Sequence, residues 1–131
     1  MAFLKHIPVM YVMSTNSVAG AREAFAKLED ALKDMRGRKF YGTYHPKTRI
    51  YRACVALRDV DDPKYYGLDA WVIPGGRYAK LKFGPWKDRI AEIGPACDEL
   101  AAEHEGKVDY SRPTIEFYRS EKELILYLPI S

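Results

Sequence analysis

The chain has 131 residues, enough for one compact domain with its own core and too few for two conventional ones. Apolar residues make up 47% and charged residues 30% with no low-complexity tract, which excludes a disordered or fibrous chain. The 21 Lys and Arg against 18 Asp and Glu leave a net charge of only +3, with basic residues interleaved among acidic ones. Sequence-independent nucleic-acid binding needs clustered cations, so no direct nucleic-acid partner is expected.

No run approaches the roughly 18 apolar residues of a membrane span, and the start Met1-Ala2-Phe3-Leu4-Lys5-His6 lacks a signal peptide's apolar run and cleavage site. A cytoplasmic protein with no membrane partner is the expectation. Cys54 and Cys97 stand far apart, which predicts buried, reduced thiols rather than a redox motif or disulfide framework. The composition is marked by 10 Tyr, 5 Phe and 2 Trp, or 13% aromatic. A tyrosine hydroxyl needs a partner, so this residue suits a half-wet cavity better than a dry core.

In chain order, Val9-Met10-Tyr11-Val12-Met13 reads as a strand ending at the turn and capping residues Ser14-Thr15-Asn16-Ser17. Val18, Ala21, Phe25, Leu28, Leu32 and Met35 then recur at helical spacing, with Glu23–Lys27 and Glu29–Lys33 pairs outside and Gly37 beyond the end. Phe40–His45 and Ile50–Leu57 read as antiparallel strands around a Pro46-Lys47-Thr48 turn, and Asp59–Lys64 as a polar surface connection.

Ala70–Ile73 is strand-like, Pro74-Gly75-Gly76 a turn, and Arg77–Phe83 a further strand. A second helix is predicted from Gly84-Pro85, with Ile90, Ile93, Cys97 and Leu100 as its buried stripe. Gly94-Pro95 should kink or split its interior, and His104 and Gly106 mark its end. Thr114–Tyr118 and Leu124–Ile130 are the last strands. The pattern is β-α-β-β twice, about 7–58 and about 69–131, and the spacing from Tyr11 to Leu32 nearly matches that from Tyr78 to Leu100. The expected fold is α+β, a single domain of pseudo-two-fold duplicated units with antiparallel sheets, one main helix per repeat and a central cleft.

Glu116 is the most informative residue. Ile115 and Phe117 should point toward the helix, which puts Thr114, Glu116 and Tyr118 on the other face. On alternation alone that face is either a cleft or the solvated side of a one-sided sheet. In a cleft, a carboxylate among tyrosines would attract a cationic or hydrogen-bonding ligand, or act as a general acid/base. Tyr41, Tyr51, Trp71, Tyr78, Trp86, Tyr118 and Tyr127 lie on or beside the proposed cleft strands, where rings can stack a planar ligand or meet a cation. His6, His45 and His104 lack metal-ligand spacing, and no phosphate loop, dinucleotide fingerprint or Gly-x-Ser-x-Gly elbow is present. No metal or cofactor is expected.

The chain resembles the GyrI-like small-molecule-binding domain, the effector-binding domain of AraC-type multidrug-sensing regulators. The resemblance rests on Tyr51-Arg52-Ala53-Cys54-Val55, Ile73-Pro74-Gly75-Gly76-Arg77-Tyr78-Ala79 with Gly84 after it, Ile115-Glu116-Phe117-Tyr118, and Leu126-Tyr127-Leu128-Pro129-Ile130. It implies a ligand cleft between two β-α-β-β units, with Glu116 as the cleft glutamate facing cationic, aromatic drug-like molecules. No helix-turn-helix precedes Val9, so a stand-alone binder of hydrophobic, planar or cationic small molecules is expected rather than a DNA-binding regulator. The resemblance also implies an alternative, a hydrolase of cyclopropane-bearing alkylating natural products with Glu116 as general acid/base assisted by Tyr78 or Tyr118. A further alternative is a protein-interaction module like the gyrase-modulating members.

Overall fold

The computed structural model describes residues 1–131. Its elements are β1 (Ala2–Leu4), β2 (Ile7–Met13), α1 (Ala21–Leu32), β3 (Phe40–His45), β4 (Ile50–Ala56), α2 (Pro63–Tyr66), β5 (Asp69–Ile73), β6 (Gly76–Phe83), α3 (Ile93–Glu103), β7 (Thr114–Ser120) and β8 (Glu123–Pro129). The fold is α+β. All eight strands form one antiparallel sheet in the order β1-β6-β8-β7-β3-β4-β2-β5, where the sequence predicted separate sheets. The order is symmetric about the central β3–β7 pair, so β2-α1-β3-β4 and β6-α3-β7-β8 are the two copies of one β-α-β-β pattern.

The pairs Ala2↔Tyr78 and Leu4↔Gly76 continue in unbroken register into Ile7↔Ile73 and Tyr11↔Asp69. The segments β1-β2 and β5-β6 are therefore one long ribbon with a bend in each chain. At the bend Gly75 packs against the other strand so closely that a Cβ would sit 2.6 Å from the Leu4 carbonyl oxygen, while its amide donates to His6 Nδ1 at 2.9 Å. A short β1 is invisible in the sequence because three residues carry no periodicity.

This ribbon curls the sheet on itself. Its concave face encloses a core of Val9, Tyr41, Cys54, Ile73, Tyr78, Ile115, Ile125 and Tyr127. Both main helices lie on the convex face. There α1 sets Ala24, Leu28 and Leu32 against Met10, Ala53 and Val55, each fully buried leucine contributing roughly 1.5–3 kcal/mol. On the other half α3 sets Leu100 against Ala79, Leu128 and Ile130, and Ile93 against Phe83, Leu124 and Leu126.

The helix boundaries differ from the sequence expectation. A 3-10 turn over Ser17–Gly20 precedes α1, which ends at Leu32 with Lys33 at φ 64°, leaving Met35 exposed. Glu23 and Lys27 pair at 3.4 Å, whereas Lys33 has left the helix before it could face Glu29. No helix starts at Gly84-Pro85; a 3-10 turn over Ile90–Glu92 leads into α3 at Ile93. Gly94 and Pro95 thus lie in the first turn of α3, where the amide that proline lacks has no helical acceptor, so they neither kink nor split it.

The Asp59–Lys64 connection runs into α2, which is capped by the Asp62 side chain accepting from the Lys64 amide. It also holds Asp61, whose carboxylate is buried against the Arg38 guanidinium with side-chain exposures of 1% and 2%. No helix is long and apolar enough to cross a membrane.

Candidate functional site

The two helices cover opposite flanks of the convex face. Helix α1 packs chiefly on β2 and β4, and α3 on β8, so neither helix lies directly over the middle of the central strands β3 and β7. That gap is a hollow of about 430 Å³. Thr114, Glu116 and Tyr118 of β7 and Tyr51 of β4 form its floor; Val18 and Ala21 line one wall, and Ile93, Cys97 and Ala101 of α3 the other. Tyr44, Tyr110 and Arg112 complete its rim.

Strand alternation put Thr114, Glu116 and Tyr118 together, as read from the sequence. The helix assignment is reversed: Ile115 and Phe117 point into the concave core, and Glu116 shares the face that carries the helices. Both faces of a curled sheet are apolar, so an apolar pair such as Ile115 and Phe117 marks a core face without saying whether a helix covers it.

Glu116 is only partly exposed, and a single carboxylate oxygen, Oε1, accepts from the Tyr51 hydroxyl at 2.6 Å and the Tyr118 hydroxyl at 2.8 Å. Burial raises its pKa above the ordinary carboxylate value, and the two tyrosine hydroxyls work against that rise. Burial, reinforced by the neighbouring carboxylate, pushes both tyrosines upward, so they remain neutral donors. Glu116 enters no ion pair. Of the other charges lining the hollow, Arg112 is committed to Asp109 at 3.0 Å and to the Ile130 carbonyl at 2.9 Å, which leaves Asp98 and Glu116 without a cation. The hollow is therefore apolar in its walls and anionic in its balance.

The floor exists because Gly42 of β3 lies opposite Glu116 in the register. A Cβ at Gly42 would overlap both Oε1 and the Tyr51 hydroxyl and sit 2.9 Å from Tyr51 Cζ. Phe25 of α1 packs beside the two tyrosines, its ring edge-on to Tyr118 with centroids 5.3 Å apart and to Tyr51 at 6.4 Å. Sequence reasoning assigned Phe25 to the helix core and passed over Gly42, Cys97 and Val18 as site residues. Only the register across β3 and β7 reveals the glycine.

Of the aromatic candidates, the structure brings Tyr51 and Tyr118 to Glu116. Trp86 backs Tyr118, with ring centroids 4.9 Å apart, and donates its indole N–H to the Ser120 carbonyl at 2.8 Å. Tyr41, Tyr78 and Tyr127 belong to the concave core and Trp71 packs against it, all on the face away from the hollow. Tyr41 stacks on Phe117 at 4.8 Å, and Trp71 lies under the Arg52 guanidinium at 4.3 Å. The Tyr78 hydroxyl donates to the Pro74 carbonyl at 2.5 Å, so it cannot assist Glu116; Tyr51 stands beside the carboxylate in the place expected of Tyr78. No group of three His, Cys, Asp or Glu side chains converges in a way that could hold a metal ion.

No protein-family model and no curated protein matches the chain. Solved structures do. SAV2435 bound to tetraphenylphosphonium superposes with a TM-score of 0.66 at 11% identity, covering 99% of this chain and 92% of that one. An integron cassette protein from the mobile metagenome of Vibrio cholerae gives 0.70 at 16% identity, covering 99% and 94%. A hydrolase from Listeria innocua gives 0.63 at 10% identity, covering 99% and 89%. At these identities the likeness is one of fold.

Proposed function

We propose that this protein binds lipophilic, aromatic cations in the hollow between α1 and α3, with Glu116 supplying the counter-charge and Tyr51 and Tyr118 holding it in place. The observation that carries this reading is a carboxylate on the floor of an apolar hollow with no cation of its own. A charge in that setting is costly until it is paired, and a ligand that brings both a positive charge and apolar surface relieves the cost while desolvating the walls. The volume of about 430 Å³ lies within the roughly 300–1,000 Å³ usual for small-molecule sites. The GyrI-like resemblance and the tetraphenylphosphonium bound to SAV2435 support the same class of ligand.

The test is a calorimetric titration with tetraphenylphosphonium. Binding to the native chain, weakened at least about tenfold in Glu116→Gln, is expected, since about 1.4 kcal/mol is modest for opposite charges a few ångströms apart in a half-buried site. Unchanged affinity in the variant removes the charge from the account.

A second reading is hydrolytic, favoured by one feature: Glu116 has a raised proton affinity and one oxygen free of protein donors. Such a carboxylate suits general-base activation of water toward a strained electrophile, and one structure of this fold is a Listeria innocua hydrolase. Repeated release of a ring-opened alcohol from a cyclopropane-bearing substrate supports it; a single stoichiometric capture counts against it.

A further inference from the structure

Glu116 presents its two oxygens very differently. Oε1 accepts from both Tyr51 and Tyr118, which fills the two lone-pair directions of that atom. Oε2 accepts from no protein group, yet it is not sealed off among the buried polar atoms that lack a partner. It therefore retains access to the hollow that Glu116 lines. The two tyrosine bonds and the close floor at Gly42 fix the plane of the carboxylate, so Oε2 is a held acceptor rather than a mobile charge.

We infer that the hollow discriminates among cations by their hydrogen-bond donors, preferring a protonated amine or amidinium whose N–H meets Oε2 over a quaternary cation of the same size and shape. This inference rests on the cation-binding reading above and adds to it the kind of cation.

The physical reason is an asymmetry of satisfaction. Any ligand that fills the hollow strips water from Oε2. A donor-bearing cation replaces that water with a short, charge-assisted bond. A quaternary centre brings charge, but its methyl groups leave the acceptor desolvated and unpaired, the more expensive state. The other carboxylates of the hollow cannot supply this geometry: Asp109 already accepts from Ser111 and Arg112, and Asp98 stands exposed at the edge.

The experiment compares two probes on the intact chain, (1-naphthylmethyl)dimethylamine, protonated at pH 7, and (1-naphthylmethyl)trimethylammonium, by calorimetry. The protonated amine is expected to bind about tenfold tighter, the scale of one charge-assisted hydrogen bond, and its advantage to vanish in Glu116→Gln, where an amide N–H replaces Oε2. Equal affinities in the native chain, both weakened in the variant, overturn this inference and leave the cation-binding reading standing. Affinities that ignore the variant altogether, or no binding of either probe, count against both. The native comparison needs no variant to fold.

Discussion

Gly42 faces Glu116 across the central β3–β7 pair, at the point where the two halves of the molecule meet, and its missing side chain is the space the carboxylate occupies. The two positions correspond under the symmetry of the strand order, so one half supplies the acid and the other the room for it.

Gly42→Ala should therefore act on the site as well as on stability. The added methyl must displace the Tyr51 hydroxyl, the carboxylate or the strand itself, and overpacking of this kind costs about 1–3 kcal/mol. Denaturant unfolding reads that loss. Titration with tetraphenylphosphonium should show an affinity as low as in Glu116→Gln, although no ligand-facing charge has been removed. Native affinity in Gly42→Ala would mean that the tyrosine clamp is not needed.

Glu116→Gln should raise thermal stability while it lowers cation affinity. Burial lifts the folded-state pKa of Glu116 above its unfolded value of 4.5, so between those two values the native state holds more protons than the unfolded one. Stability then falls as pH rises through the folded pKa, and above it the ionised group is a burden that glutamine removes. Cation affinity runs the opposite way, growing as pH rises through the same range. A melting-temperature difference, variant minus native, that does not grow as pH rises from 4.5 to 9 contradicts this sign.

A different charge is expected to hold the fold together. Arg38 donates to both Asp61 oxygens and to the Tyr66 hydroxyl, and both charged side chains are almost wholly buried. Burial pushes the Asp61 carboxyl up, but the Arg38 hydrogen bonds, the Arg58 amide and the two guanidinium charges outweigh it and hold the carboxyl low. Asp61→Ala strands a buried guanidinium and should cost about 3–5 kcal/mol, measured by urea unfolding at pH 7. In the native chain this contribution is present above pH 3.8 and lost as pH falls through the lowered value.

The contrast between Glu116 and Asp61 shows what the sequence made legible. Strand alternation gave the company of Glu116, because period two fixes which neighbours share a face. The same pattern was silent on which face the helices cover, and so it distributed the tyrosines wrongly: Tyr41, Tyr78 and Tyr127 sit inside the curl, whose existence depends on β1-β2 pairing with β5-β6 far along the chain. Asp61 sits in Asp59-Val60-Asp61-Asp62, a run with the composition of a solvated loop, and only the distant Arg38 distinguishes it from its neighbours. Gly94-Pro95 looks like a break rather than a first turn because a helix start is marked weakly when no side chain caps it, as at Glu92.

Cys97 offers a reporter of the hollow that needs no ligand chemistry. Burial first, then the charges of Glu116 and Asp98, push its thiol up to about 12, and burial does the same for Cys54 inside the core. A thiol so shifted reacts through a scarce thiolate, with partial compensation from the greater nucleophilicity of a more basic sulfur. Native Cys97 should thus be alkylated by iodoacetamide at pH 8 at least about thirtyfold more slowly than in the unfolded chain. Glu116→Gln removes one of the raising charges, so the variant should label faster than the native protein. Tetraphenylphosphonium seated against the α3 wall blocks the approach and should slow labelling further in the native protein. Mass spectrometry of peptides containing Cys97 follows all three rates, and labelling in Glu116→Gln no faster than in the native chain would separate the thiol from the carboxylate's field.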